Sequence, residues 1–290
     1  MTKAFEHFMA AAELGYPEAQ HDVAYCFLEG LGGPKDVPNG IKWLRTAAEN
    51  GSANAVYDLG VCYLEGEGVR KNPRVAIEFF KQAAQLGARD AFYNLGVLYE
   101  HGRGVKKSAS LAAAFYRRGA RRGCSSCQYN LGALYDSAKL DIPNRRAAFK
   151  WFMRAARAGD SDAMFNVALS LENGRGVRKD AAAAARWYQR AAASGDAASQ
   201  CNLGGMFLDG MGVRQDFHKA RRLFLAAAKG GDSKAQFNLG LCYELGLGGN
   251  RNIKTAATWY EQAAAGGHKQ ARAKLAALRA SGLPSDKRKT

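Results

Sequence analysis

One interval governs this sequence. Gly15, Gly51, Gly87, Gly123, Gly159, Gly195, Gly231 and Gly267 stand 36 residues apart, with no insertion between any two. A second series, Gly30, Gly66, Gly102, Gly174, Gly210, Gly246 and Gly282, keeps the same interval, and Ala138 interrupts it. A fixed period of this length marks a stacked repeat architecture, in which each unit buries its apolar face against its neighbours. The 290 residues hold eight such units with two residues over, so the period leaves no room among them for another domain.

The unit is a pair of helices. In residues 52–87, Ser52 is a good N-cap, and Asp160, Asp196 and Asp232 hold the same position in other units. Ala55, Leu59, Gly60 and Tyr63 then fall on one helical face, and Gly66 stops this first helix, helix A. After a short loop comes Asn72, aligned with Asp36, Ser108, Asn144, Asp180, Asp216 and Asn252, all N-cap types, and Pro73 sits where a first-turn proline belongs. Helix B follows with Ala76, Phe79, Phe80, Ala83 and Ala84 on one stripe, and Gly87 takes the left-handed position past its end. The spacing therefore predicts an all-α chain of helix hairpins.

The pattern Ala-x3-Leu-Gly-x2-Tyr-x2-Gly-x-Gly-Val, followed by an aromatic and Ala-Ala-x2-Gly, resembles the Sel1-like repeat family, relatives of the tetratricopeptide repeat. Ala91, Leu95-Gly96, Tyr99 and Gly102-Arg103-Gly104-Val105 carry it, as do Trp187-Tyr188, Ala191-Ala192 and Gly195. The resemblance spans residues 1–281 and implies a right-handed α-solenoid superhelix of 36-residue hairpins, with A helices on the concave side and B helices on the convex side. Residues 127–162 depart from it: Asp136 to Ile142 replaces the Gly-x-Gly-Val loop, so a different turn is expected there.

Residues 5–12 align with helix B, so the solenoid opens halfway through a unit, which would leave Phe5 or Phe8 partly bare unless an upstream segment covers it or another subunit does so by end-to-end association. At the other end Arg272, Lys274 and Arg279 give the last A helix the polar face of a terminal repeat. Residues 282–290, with Lys287-Arg288-Lys289, read as a disordered basic tail.

Little here points to catalysis. His7, His21, His101, His218 and His268 make no His-Glu-x-x-His spacing, and the Gly-x-Gly segments recur as turns between helices rather than after a strand. No catalytic, metal or cofactor site is read. Cys26, Cys62 and Cys242 share one phase of helix A, and equivalent positions on neighbouring helices lie roughly 8–10 Å apart, too far for a disulfide. Cys124-Ser125-Ser126-Cys127 is a single Cys-x-x-Cys, a weak redox or half-zinc signal. Some secreted members of the resembled family join helix B to the next helix A by a disulfide; here Cys127 is matched by Ala120, so that bridge is lacking. A reducing intracellular compartment, cytoplasm or organelle interior, follows. Neither a secretory signal nor an apolar run of about 18 residues is seen.

Two surfaces remain. With Ala55 at 0° and about 100° per residue, the apolar positions of helix A cover about 0° to 200°, and position 58 falls near 300°. That phase holds Asp22, Asp58, Asn94, Asn130, Asn166, Asn202, Asn238 and Lys274. An Asn ladder there would offer a donor and an acceptor per repeat to an extended peptide; Asn bonding within the solenoid is the alternative. The second surface is basic. Residues 1–108 carry 12 Lys+Arg against 13 Asp+Glu, residues 109–290 carry 30 against 13, and the whole chain is +16. On helix B the outward phases hold Arg118 and Arg121; Lys150, Arg154 and Arg157; Arg186 and Arg190; Arg222 and Lys229. Uncompensated charge of one sign favours an anionic partner. The expected function is a non-enzymatic scaffold that binds protein partners within a larger complex, through a concave groove and this basic face. The alternative is a subunit of a ribonucleoprotein or other anionic assembly docked through residues 117–229, touching RNA by its backbone rather than its bases.

Overall fold

The structure, a computed structural model, describes residues 3–137, 139–140 and 144–280. Residues 282–290, read above as a tail, lie outside them, as do Ala138 and Asp141 to Pro143 of the departing turn. Packing divides the chain into two units, residues 1–143 and 144–290.

The first unit holds α1 (Lys3–Glu13), α2 (Pro17–Glu29), α3 (Val37–Glu49), α4 (Ala53–Glu65), α5 (Pro73–Gln85), α6 (Asp90–His101), α7 (Ala109–Arg121) and α8 (Ser125–Asp136). The second holds α9 (Arg145–Arg157), α10 (Ser161–Asn173), α11 (Ala181–Ala193), α12 (Ala197–Asp209), α13 (Phe217–Lys229), α14 (Ser233–Leu245), α15 (Ile253–Ala265) and α16 (Lys269–Ala280). Even-numbered helices are A helices and odd-numbered ones are B helices. Within each unit every helix packs on the next one in sequence. The described residues contain no strand.

Local chemistry sets the boundaries. Asn72 and the six residues aligned with it each cap a B helix, the side chain accepting a backbone N–H two or three residues on. Gly66 ends α4 at φ 87°, a left-handed conformation that costs glycine nothing. At the altered turn Ser137 ends α8 in extended conformation instead.

The core is a ladder of rings on B helices. Phe80 and Tyr116 in the first unit, and Tyr188, Phe224 and Tyr260 in the second, are fully buried. Each of Phe80, Tyr116, Phe224 and Tyr260 lies on the glycine of the preceding A helix, where a Cβ on Gly60 or Gly204 would stand 2.7 Å from the ring. The expected stripe on α5 holds for Ala76, Phe80, Ala83 and Ala84, but Phe79 is half-buried, stacked on Tyr63 with centroids 5.3 Å apart, and Ile77 is buried beside it. Helix B is flanked by A helices on two sides, so its apolar arc is wider than one stripe. At the N-terminal end Phe5 is buried edge-on against Phe27, and Phe8 is the exposed one. At the other end, Lys274 pairs with Glu244 at 3.0 Å and Arg279 with Glu261 at 2.7 Å.

Candidate partner-binding surfaces

The helix-A row is half-buried, and its amides are bonded within the chain. In the first unit Asn94 Nδ2 donates to Tyr57 Oη of the preceding repeat (3.0 Å), and Asn130 Nδ2 donates to the Ser126 carbonyl (2.8 Å). In the second, Asn166 Nδ2 donates to the Asp162 carbonyl (2.8 Å), Asn202 Nδ2 to Tyr188 Oη (3.1 Å), and Asn238 Nδ2 reaches Cys201 Sγ (4.0 Å). The carbonyl oxygens of Asn94, Asn130, Asn166 and Asn238 have no hydrogen-bond partner among the described residues, while Lys234 Nζ lies 3.5 Å from that of Asn202. Each amide therefore spends an Nδ2 contact within the chain, while four of the five keep an oxygen unpartnered among the described residues.

Asp58 holds the same phase and pairs with His21 Nε2 at 2.7 Å. The hydrogen bond to Asp58 outweighs burial and raises the His21 pKa above its ordinary value. The sign follows by linkage: the stabilisation is fully present below the ordinary histidine value and fades as pH rises through the folded-state value. The urea midpoint gap between wild type and His21→Gln should be widest near pH 5.5 and narrow by pH 9; a gap independent of pH would contradict the pairing.

A second network went unread in the sequence. Along helix B the core ring alternates Phe80, Tyr116, Phe152, Tyr188, Phe224, Tyr260. Tyr116, Tyr188 and Tyr260 donate their hydroxyls to Glu100 (2.9 Å), Glu172 (2.7 Å) and Glu244 (2.5 Å). In the repeats with Phe80 and Phe224 the position equivalent to Glu172 holds Leu64 and Leu208. A buried tyrosine needs an acceptor and a phenylalanine does not. Comparing alternate repeats, rather than neighbours, reveals the pairing.

The nine helix-B cations, Arg118, Arg121, Lys150, Arg154, Arg157, Arg186, Arg190, Arg222 and Lys229, are all exposed, and none has an acidic partner among the described residues. Several guanidinium groups rest on rings: Arg154 on Trp151 (4.6 Å), Arg190 on Trp187 (4.8 Å), Arg118 on Phe92 (5.2 Å). Such stacking restricts the side chain yet leaves its N–H edge free for a carboxylate or phosphate.

All six cysteines are buried free thiols. Cys124 stands at the N-cap of α8, its Sγ accepting the Cys127 N–H at 3.2 Å, the place Ser52 and Asp160 take in α4 and α10. Hydrogen bonding to Cys127 holds the Cys124 thiol below its ordinary pKa, and the same bond, with burial, pushes Cys127 up. Among the described residues no cluster of three or more His, Cys, Asp or Glu could hold a metal, and no helix is long and apolar enough to cross a membrane.

Hairpins of helices A and B, with capped B helices and six A helices ended by a left-handed glycine, define an α-solenoid of the tetratricopeptide-like class. The Sel1 repeat model matches residues 1–16, 17–52, 53–87, 90–124, 125–160, 161–196, 197–232 and 233–268, and the chain belongs to the Sel1 repeat family. A protective antigen present in uropathogenic Escherichia coli strains, displaying an SLR fold, superposes with a TM-score of 0.92 at 34% identity, over 96% of this chain and 60% of that one. A Sel1 repeat protein from Oxalobacter formigenes superposes at 0.69 with 28% identity, over 84% of this chain and 96% of that one. No curated protein matches. Sel1-like repeat proteins generally mediate protein–protein interactions, and their scaffold is typically non-catalytic.

Proposed function

We propose that this chain is a non-enzymatic adaptor that holds a protein partner against the helix-A row and engages acidic surface through its helix-B cations, within a larger assembly in a reducing compartment. The observation that carries the reading is the set of nine exposed cations without acidic partners. Self-repulsion among them costs folding energy that an anionic surface would relieve. The unpartnered amide oxygens of the helix-A row supply a second, sequence-tolerant contact.

Affinity purification from the native source, with and without nuclease, tests it. Partner capture should survive nuclease, weaken as salt is raised, and fall at least tenfold in the Arg154→Glu, Arg190→Glu double variant. Asn130→Ala with Asn166→Ala should weaken capture while leaving helical circular dichroism unchanged. Capture lost to nuclease would replace this reading with the ribonucleoprotein one. Capture indifferent to all four substitutions would reject both surfaces.

A further inference from the structure

The outer side of helix B carries an aromatic at one phase in repeat after repeat: Trp43, Phe79, Phe115, Trp151, Trp187 and Trp259. In α13 that phase is Leu223. In two repeats that ring covers the aromatic of the preceding helix A: Phe79 stacks on Tyr63 and Phe115 on Tyr99, both with centroids 5.3 Å apart. Phe207 occupies the Tyr63 phase and has no such ring to stack on. The residue that follows by three, Arg154 over Trp151 and Arg190 over Trp187, is an exposed Ala226 here, so the same place has lost both its ring and its covering guanidinium.

A cleft of about 410 Å³ stands there, walled by Ala192, Ala193, Leu203, Phe207 and Leu223. A dry apolar cavity of roughly 150 Å³ already accepts a benzene ring, so size does not limit entry of an aromatic side chain. Arg222 and Lys219 border the same cleft. Lys219 Nζ hovers 5.3 Å over the Phe207 ring and pairs with Asp216 at 3.4 Å, a surface contact of a kind that contributes little, so it can be exchanged for a partner's carboxylate at little cost.

We propose that this cleft is a docking pocket for an aromatic side chain flanked by carboxylates on a protein partner, the ring replacing the one that Leu223 omits and the carboxylates pairing with Arg222 and Lys219. The proposal rests on the adaptor reading and adds the chemistry of its partner. A nucleobase fits less well. Besides Lys219 and Arg222 the lining offers a base's polar edge only Gln189 and Gln200, the latter already donating one Nε2 N–H to the Ala192 carbonyl at 3.2 Å, and the remaining walls are apolar. An aromatic residue needs no polar partner at its ring and gains by burying it.

The test uses the full chain and an acetylated, amidated Asp-Glu-Phe-Asp-Glu peptide, followed by methyl NMR of Ala192, Leu203 and Leu223. Saturable shifts are expected at these methyls. They should vanish with Ala in place of the peptide's Phe, and weaken at least tenfold in Arg222→Glu. Leu223→Trp, which restores the residue of the flanking repeats, should keep the fold and abolish the shifts. Failure to saturate, equal binding by Leu223→Trp, or binding of oligouridine with the same dependence on Leu223 would each overturn the proposal. Capture of the native partner in Leu223→Trp separates the two readings: if the peptide fails to bind while capture still depends on Arg154 and Arg190, the adaptor stands without this pocket.

Discussion

Phe224→Ala is expected to lower the stability of the fold by about 3–5 kcal/mol, read as a fall in the urea midpoint. The ring is fully buried among Ala220, Ala227, Ala228, Ala235 and Leu239. It lies against Gly204 of α12, which has no side chain to lean into the space left behind, so the cavity should persist. A milder change tests the alternation of rings. Phe224→Tyr places a hydroxyl opposite Leu208, where the tyrosine-bearing repeats have a glutamate, and should cost about 1–3 kcal/mol as an unsatisfied buried donor. Leu208→Glu added to it should recover most of that loss, reproducing the Tyr188–Glu172 pair one repeat away. If the double variant is no better than the sum of the two single ones, the pairing is incidental.

The parts of this molecule that depend on one helix at a time were legible in the sequence. A capping side chain acts within three residues, and a left-handed glycine answers to its own φ; both recur at the fixed interval, and the caps at Asn72 and its equivalents and the turn at Gly66 stand where the pattern put them. What a helical wheel omits is the neighbour. Position 58 and its equivalents point away from their own hairpin partner, yet in a stack that direction meets the preceding repeat: Asn94 finds Tyr57, and Lys274 finds Glu244. A wheel drawn for one helix therefore places the row on one face but makes its surroundings freer than they are. The outward phases of helix B were easier to place because they point away from the neighbouring helices: their cations are exposed, and several meet only a nearby ring, as Arg154 meets Trp151. The cleft at Leu223 escaped notice for a different reason: it is the absence of a residue type, visible once Phe79 on Tyr63 shows what that residue does elsewhere.

Gly212→Ala should destabilise the chain by at least about 2 kcal/mol, although it adds one methyl group on a surface loop. Gly212 has φ 70°, where a side chain costs about 1–2 kcal/mol. A Cβ there would also overlap the Ala181 carbonyl and stand 2.6 Å from Ala182 N, at the first turn of α11. Backbone in a capped helix cannot step aside as a flexible side chain could, so overlap adds about 1–3 kcal/mol. Gly205→Ala is the control: that residue sits inside α12 with nothing within 4 Å of its Cβ, and should gain up to about 1 kcal/mol of helix propensity. The contrast reaches function within the second unit. The loop at Gly212 leads into α13, which carries Arg222, and rests on the first turn of α11, which carries Arg186 and Arg190, so displacing the loop would shift one helix against the other. Gly212→Ala should therefore weaken capture of an acidic partner at temperatures where the chain is still folded, with every cation in place, whereas Gly205→Ala should leave capture unchanged. Equal capture by the two variants would mean that the cations act as separate charges rather than as a spaced surface.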